Sequence, residues 1–300
     1  MKKQRNAEFL SFHKRCIEDS GKVYSFEQSE PKIRRKDQCD LYCAGSDQNW
    51  KPTTGRSGPF PYLAFAEQAR TFSYAASFGV DQIPEEYQAP VRKGLQHIKY
   101  ISVREDAGKK IVEDLTGRTD AQVLVDPTML LTAQEWDQVA KKPPIDVPEN
   151  YLLTYFLGEV SEKRRAAIQA RAMEQHCEII NLMDRSSPYY QFGPDAFLYL
   201  IKHASCVCTD SFHGSVFSFL YRKPLAILVR EGSKENMNSR LETLVEKFSL
   251  QQCVASGDEL PNMDICDYSE GYAALENERA KADDYLKMVF SEAERVGLCD

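Results

Sequence analysis

The chain has 300 residues, 42% hydrophobic and 28% charged, with a formal net charge of -7. That length allows two compact domains or one large one, and the composition is that of a folded globular chain rather than a disordered one. The negative balance disfavours a protein that coats nucleic acid, which needs a positive surface to displace counterions, but it leaves room for a local basic pocket.

Met1 to Arg5 is basic, yet no apolar run follows, and the segment around Phe9, Phe12 and Ile17 reads as ordinary mixed sequence, so no secretion signal is expected. No window approaches the roughly 20 apolar residues of a membrane helix, and the expected location is the cytoplasm. The nine cysteines are odd in number and scattered. Cys39 and Cys43 have no second pair at zinc-ligand spacing, and Cys206 and Cys208, two apart in an apolar run, would share one face of a strand. Reduced structural thiols and no metal are expected.

Short apolar runs alternate with amphipathic helical stretches, the pattern of an α/β architecture with parallel strands. Leu41 to Ala44 reads as a strand ending at Gly45, and Thr71 to Phe78 as a buried strand of small and aromatic residues. A helix is predicted from near Pro84 toward Gln96, limited or kinked by Pro90. Strand Tyr100 to Val103, helix Glu105 to Leu115 closed by Gly117, and strand Gln122 to Val125 follow. Lys141 to Glu149 carries three prolines in a short polar stretch and is the best linker candidate. The rhythm then restarts: strand Tyr151 to Phe156, helix Glu162 to Gln175, strand Glu178 to Met183, helix Pro194 to His203 and strand Ser205 to Cys208. Helix Phe212 to Tyr221, strand Leu225 to Val229, helix Asn238 to Phe248 and a long charged helix Tyr272 to Val296 complete the chain.

In open parallel sheets ligands sit beyond the carboxyl ends of the strands, so the residues directly after strands are the candidates. Thr209-Asp210-Ser211-Phe212-His213-Gly214-Ser215 follows an apolar strand and opens a helix. Amides near Gly214 and Ser215 would then face an anion with a positive helix end behind them, and His213 can exchange a proton near neutral pH. The alternative is a helix cap by Asp210 or Ser211 with His213 packed beside it. Arg104, directly after a strand, can offer two parallel donors to a phosphate or carboxylate, or pair with its acidic neighbours. Gly45-Ser46-Asp47-Gln48 is a weaker strand-end motif, and Asn49 and Trp50 fit an anchored loop. Asp126-Pro127-Thr128 suits a structural strand stop. Arg230 and Arg240 are two further cations near a strand end and a helix start. His13, His97, His176 and His203 lack comparable settings. Neither a G-x-x-x-x-G-K nor a G-x-G-x-x-G fingerprint is present, which disfavours an ATPase or a simple NAD enzyme.

Taken in order, Gly45-Ser46-Asp47-Gln48 with Trp50, Ser73-Tyr74-Ala75-Ala76-Ser77-Phe78-Gly79, Ser102-Val103-Arg104-Glu105, Val125-Asp126-Pro127-Thr128 and Thr209-Asp210-Ser211-Phe212-His213-Gly214 resemble the polysaccharide pyruvyl transferases. Asn238-Ser239-Arg240 is similar to that family's closing element. The resemblance spans roughly residues 40 to 250, and the ordered series is far more specific than any one motif. It implies two Rossmann-like lobes similar to the GT-B glycosyltransferases, here residues 1–145 and 146–300, with the long helix terminal. It implies phosphoenolpyruvate as donor, no other cofactor, and a hexose acceptor, free or lipid-linked, in a capsular, cell-wall or exopolysaccharide precursor; a homo-oligomer is compatible with it.

In that reading Arg104, helped by Arg230 or Arg240 and by amides near Gly214, holds the donor, and His213 is the general acid. Ser46, Asp47, Gln48, Ser211 and Ser215 complete the substrate-binding set. Family members open with a strand and a helix carrying an Asn-Tyr-Gly type segment. About forty residues precede Gly45 and show no such strand, so the first βαβ unit of the amino-terminal lobe is expected to be shortened or absent. Two other functions fit the same motifs. One is a GT-B glycosyltransferase using a nucleotide sugar; the other is a non-catalytic interaction subunit derived from the family, with an incomplete sheet edge that needs a partner.

Overall fold

A computed structural model describes residues 2–18, 39–52, 58–231, 239–295 and 297. In chain order the helices and strands are α1 (Lys2–Cys16), β1 (Tyr42–Gly45), β2 (Thr71–Tyr74), α2 (Glu85–His97), β3 (Ser102–Val103), α3 (Asp106–Thr116), β4 (Gln122–Val123), α4 (Ala133–Asp137), β5 (Tyr151–Tyr155), α5 (Glu162–Glu174), β6 (Glu178–Asn181), α6 (Pro194–His203), β7 (Cys206–Thr209), α7 (Phe212–Leu220), β8 (Leu225–Ile227), α8 (Ser239–Lys247) and α9 (Ser269–Arg295). They fall into two compact units. The first comprises Met1–Glu18, Leu131–Lys234 and Leu244–Ala273, the second Asp19–Leu130, Glu235–Thr243 and Ala274–Asp300. Among the described residues no helix is long and apolar enough to cross a membrane.

In the second unit β1 pairs with β2 and β3 with β4, all parallel, and single bridges Phe72–Tyr100 and Ala76–Val103 join the two pairs. Parallel strands need helical crossovers, which α2 and α3 supply. Each buries one stripe: Val91, Gly94 and Leu95 from α2, and Gly108, Ile111 and Val112 from α3. Trp50, Tyr62 and Phe78 fill the centre of this core without exposure. Trp50 stacks on Tyr62 with ring centroids 5.3 Å apart, and its Nε1 donates to the Pro61 carbonyl at 3.0 Å. Burying each such side chain contributes about 1.5–3 kcal/mol. In α9 the residues Leu275, Glu278, Ala282, Tyr285, Val289 and Ala293 are buried at spacings of three and four, one helical face. Tyr285 from this stripe donates its hydroxyl to the Ser73 carbonyl at 2.8 Å.

The first unit holds a four-stranded parallel sheet in the order β6-β5-β7-β8. Its central strands, β5 (YLLTY) and β7 (CVCT), are nearly continuous buried runs, as both faces of a covered parallel sheet require. Cys206 and Cys208 both join this core. Helix α7 (FHGSVFSFL) is apolar almost all round and is buried accordingly. Its serines are accommodated by donating back along the helix, Ser215 to the Ser211 carbonyl and Ser218 to the Gly214 carbonyl.

An α/β chain with parallel sheets agrees with the sequence reading. Several bounds differ for local reasons. The run Thr71 to Phe78 is strand only to Tyr74, because Ala75 turns to φ 45° before the chain pairs again at Ala76. Tyr100 contributes a single bridge rather than two strand residues. Pro90 lies inside α2 without ending it, and Gly117 closes α3 by donating its amide to the Glu113 carbonyl at 2.8 Å. Lys141 to Glu149 carries neither helix nor strand. Two helices escaped the sequence reading. In α1 no residue is buried, so no apolar period marks it; α4 is one short turn, held by a capping box between Thr132 and Glu135. The expected loss of the first βαβ unit concerns a region of which residues 19–38 lie outside the described residues, as does Asn238.

Candidate functional site

In the second unit the loops after β1, β2, β3 and β4 gather one polar cluster. Gly45 ends β1 at φ 143°, and a side chain there would meet the Tyr74 carbonyl oxygen 2.1 Å from its Cβ, so only glycine lets the two strands end this close. Ser46 then donates its hydroxyl to the Ala75 carbonyl at 3.1 Å and to Asp126 Oδ2 at 3.0 Å. Arg104, placed beyond β3, donates from Nη1 to Asp126 Oδ2 at 2.6 Å and from Nη2 to Asp47 Oδ1 at 3.2 Å. The other Asp126 oxygen accepts from the Thr128 amide and hydroxyl at 3.0 and 2.8 Å. Arg240, at the start of α8, lies 3.8 Å from Asp47 Oδ1, and Gln48 presents its amide oxygen to both terminal nitrogens of Arg240, at 3.1 and 2.6 Å.

Glu105 completes the cluster from below. It is fully buried, and its Oε1 accepts from the Ser77 hydroxyl (2.9 Å) and the Phe78 and Gly79 amides (3.0 and 3.3 Å), which fixes the turn after β2. Its Oε2 lies 3.9 Å from Arg104 Nε. Desolvation raises the Glu105 pKa above the ordinary carboxylate value, with Arg104 pulling the other way. Burial likewise works against the charge of Arg104, but Asp126, then Glu105 and Asp47, outweigh it and hold its pKa above the usual guanidinium value. Two guanidiniums thus serve three carboxylates. Of these carboxylates Asp126 and Glu105 are buried, while the Asp47 side chain is 65% exposed. The cluster can present Asp47, in a fixed position between two cations, to a ligand.

In the first unit the chain leaves β7 through Thr209, whose hydroxyl donates to the Tyr155 carbonyl at 2.6 Å and accepts from the Ser211 amide at 3.0 Å. Ser211 is the cap of α7, its oxygen accepting from the Gly214 amide at 3.3 Å, and the Ser215 amide makes the first helical bond, to the Ser211 carbonyl at 2.9 Å. The Gly214 and Ser215 amides are therefore engaged within the helix start. A Cβ on Gly214 would meet Thr209 Oγ1 at 2.5 Å, so glycine allows the helix to begin directly against the strand end. Asp210 ties three elements together. Its carboxylate accepts from the Leu157 and Gly158 amides at 2.7 and 2.8 Å and from Arg230 Nε at 3.2 Å, and Arg230 Nη2 donates to its carbonyl at 3.2 Å.

His213 is half-buried on the wall of a cavity of about 160 Å3 at the carboxyl ends of β5, β6 and β7. Tyr155, Leu182, Phe192, Phe197 and Leu200 line it from these strand ends and α6, and Arg5 and Phe9 from α1. Among the described residues no group of three or more His, Cys, Asp or Glu side chains could hold a metal ion.

The candidates from the sequence thus form two sets. Ser46, Asp47, Gln48, Arg104 and Arg240 meet in the second unit; Ser211, His213, Gly214, Ser215 and Arg230 belong to the first. Arg240 accompanies Arg104, whereas Arg230 accompanies Asp210. Asp126, read from the sequence as a strand stop, is also the closest partner of Arg104; its placement after a strand, like Arg104's own, was the available signal. The aromatic lining of the cavity gave no motif, since Tyr155 and Phe197 read as ordinary core residues.

A family model described as polysaccharide pyruvyl transferase matches residues 4–231. Comparison with curated proteins gives no match.

Proposed function

This chain belongs to the polysaccharide pyruvyl transferase family, and from that premise we propose that it transfers the enolpyruvyl group of phosphoenolpyruvate to a hexose of a polysaccharide precursor, forming a cyclic pyruvate ketal. The setting of His213 carries this reading: the imidazole stands just beyond a buried parallel strand, at the start of a buried helix, on the wall of a cavity. The family's GT-B arrangement is part of the proposal, each compact unit standing for one lobe.

His213 acts as general acid and delivers a proton to the methylene carbon of the donor, so positive charge develops on the adjacent carbon that bears the phosphate. A sugar hydroxyl adds to that carbon and gives up its proton. The carbon–oxygen bond to phosphate breaks, inorganic phosphate leaves, and a second hydroxyl of the same sugar closes the ketal. One phosphoenolpyruvate and one diol yield one ketal and one phosphate. Arg230, which lies in the same unit as His213, is the cation assigned to the donor's phosphate, since fixed positive charge stabilises the departing group. Arg104, with both terminal nitrogens engaged by Asp126 and Asp47, acts through the position it gives Asp47 and Ser46.

The test is phosphate release from phosphoenolpyruvate in the presence of methyl hexopyranosides. His213→Ala is expected to lower turnover at least about 100-fold; undiminished turnover in a folded variant removes His213 from the mechanism. A thermal-shift comparison tests the donor. Phosphoenolpyruvate is expected to raise the melting temperature and UDP-glucose to leave it unchanged, because only a ligand of the folded state stabilises it.

A further inference from the structure

The cavity beside His213 has a composition that the transfer chemistry alone does not explain. Its walls are the aromatic rings of Tyr155, Tyr189, Phe192, Phe197 and Phe9 with Leu182, Leu200 and Pro194, and its two basic side chains are His213 and Arg5. Among the described residues no acidic side chain lines it. The rings are held rather than loose. Tyr155 and Phe197 pack edge to face with centroids 5.1 Å apart, and Phe197 meets Phe217 in the same way at 6.0 Å. Tyr189 is anchored by its hydroxyl, which donates to the Asp146 carbonyl at 3.1 Å. Arg5 is fixed by donation to the Tyr190 carbonyl at 2.7 Å, with its guanidinium over the Phe9 and Tyr190 rings at 5.1 and 4.7 Å.

We infer that this cavity receives the pyranose ring of the acceptor, with the apolar C–H face of the sugar laid against the Phe197 and Tyr155 rings and its hydroxyl edge turned to His213. The inference rests on the proposed transferase reading, because it is there that an attacking hydroxyl must approach the carbon beside the one His213 protonates. The size suits a single ring rather than a larger ligand: about 160 Å3 is below the roughly 300–1000 Å3 of sites that enclose drug-sized molecules, while the mostly apolar wall with a few polar groups to set orientation is the same. The charge suits it too. One arginine and one imidazole among aromatic rings offer few charged donors to a nucleotide pyrophosphate, but enough polar contact for a neutral ring. A hydrocarbon chain would also fit the walls, yet it would set a surface with no reactive hydroxyl against His213.

The experiment is saturation-transfer difference NMR on the full chain with the methyl α- and β-pyranosides of glucose, galactose and mannose, and with octyl β-glucoside. At least one methyl hexoside is expected to receive saturation on its ring C–H protons, and Phe197→Leu, which keeps apolar volume but removes the aromatic face, is expected to weaken its binding roughly three- to tenfold. Tyr189→Leu, on the short turn Pro188–Gln191 rather than in a helix of the core, gives a second reading should Phe197→Leu fail to fold. The inference is overturned if none of the six methyl hexosides receives saturation, if both variants bind as the wild type does, or if octyl glucoside is saturated on its chain rather than its ring. Kinetics separate this result from the parent reading. In an active transferase Phe197→Leu raises KM for the hexoside and leaves KM for phosphoenolpyruvate unchanged. Unchanged KM for the hexoside in an active enzyme overturns the cavity assignment alone, whereas hexoside binding without phosphate release overturns the transferase reading alone.

Discussion

Arg104 and Asp126 show what one buried ion pair does for a cluster of loops. With only 4% and 3% of their surfaces exposed, neither can turn to water for a new partner, so removing Asp126 takes from Arg104 its shortest contact and leaves it the longer ones to Asp47 and Glu105. Asp126→Ala is expected to destabilise the second unit by about 3–5 kcal/mol, read as a lower urea midpoint from the fluorescence of Trp50, which lies in the same unit. A loss below about 1 kcal/mol would match a solvated surface pair instead. Glu105 makes a pH-dependent counterpart. Because its pKa is raised by desolvation, the folded protein holds this proton more tightly than the unfolded chain. Its favourable contribution is full below the unfolded value of about 4.3 and fades as pH rises through the folded value. Glu105→Gln keeps an oxygen for Ser77, Phe78 and Gly79 but carries no charge. The stability advantage of wild type over this variant is therefore expected to shrink as pH rises above the ordinary carboxylate range in urea titrations; an advantage that grows with pH contradicts the assignment.

Among the elements, α2 and α7 differ in what holds them. Helix α7 is secured by burial on all sides and by the Ser211 cap. Helix α2 buries only Val91, Gly94 and Leu95, and its exposed Pro90, six residues in, cannot donate to the carbonyl one turn back. Pro90→Ala restores that bond at the cost of a less restricted unfolded chain. The net expectation is a gain of about 1–2 kcal/mol in urea denaturation, and a lower midpoint would show that the proline's restriction of the unfolded chain outweighs the regained bond. The sequence located α2 and α7 because apolar spacing, Pro84 and the glycine-bearing strand end mark them. It could not locate α1, since a helix without a buried face has no periodicity to read.

For the molecule as a whole, the notable feature is how the chain is divided. It passes between the two units within α8, at Thr243–Leu244, and within α9, at Ala273–Ala274. The division falls at the middle of α8, and a helix interrupted there loses cooperativity on both sides, so the units are expected to unfold together. The two tryptophans provide the check, Trp50 in the second unit and Trp136 in the first. Trp136→Phe and Trp50→Phe leave one reporter each, and their urea transitions are expected to coincide; separate midpoints would show the units to be independent.

The sequence by itself determined the α/β class, the order of nearly all strands and helices, and the family, because alternating buried runs, amphipathic stretches and glycines at strand ends are local consequences of backbone geometry. It also named Arg104 and His213 as residues beyond strands. Only the tertiary structure decided that Arg104 is matched to Asp126 and Asp47, that Glu105 lies buried beneath them, and that His213 adjoins a cavity walled by Tyr155, Phe197 and the unforeseen α1. Pairing and cavity shape depend on residues far apart in the chain. Tyr155 and Phe197 are 42 positions apart in numbering, and no local pattern encodes the distance between their rings.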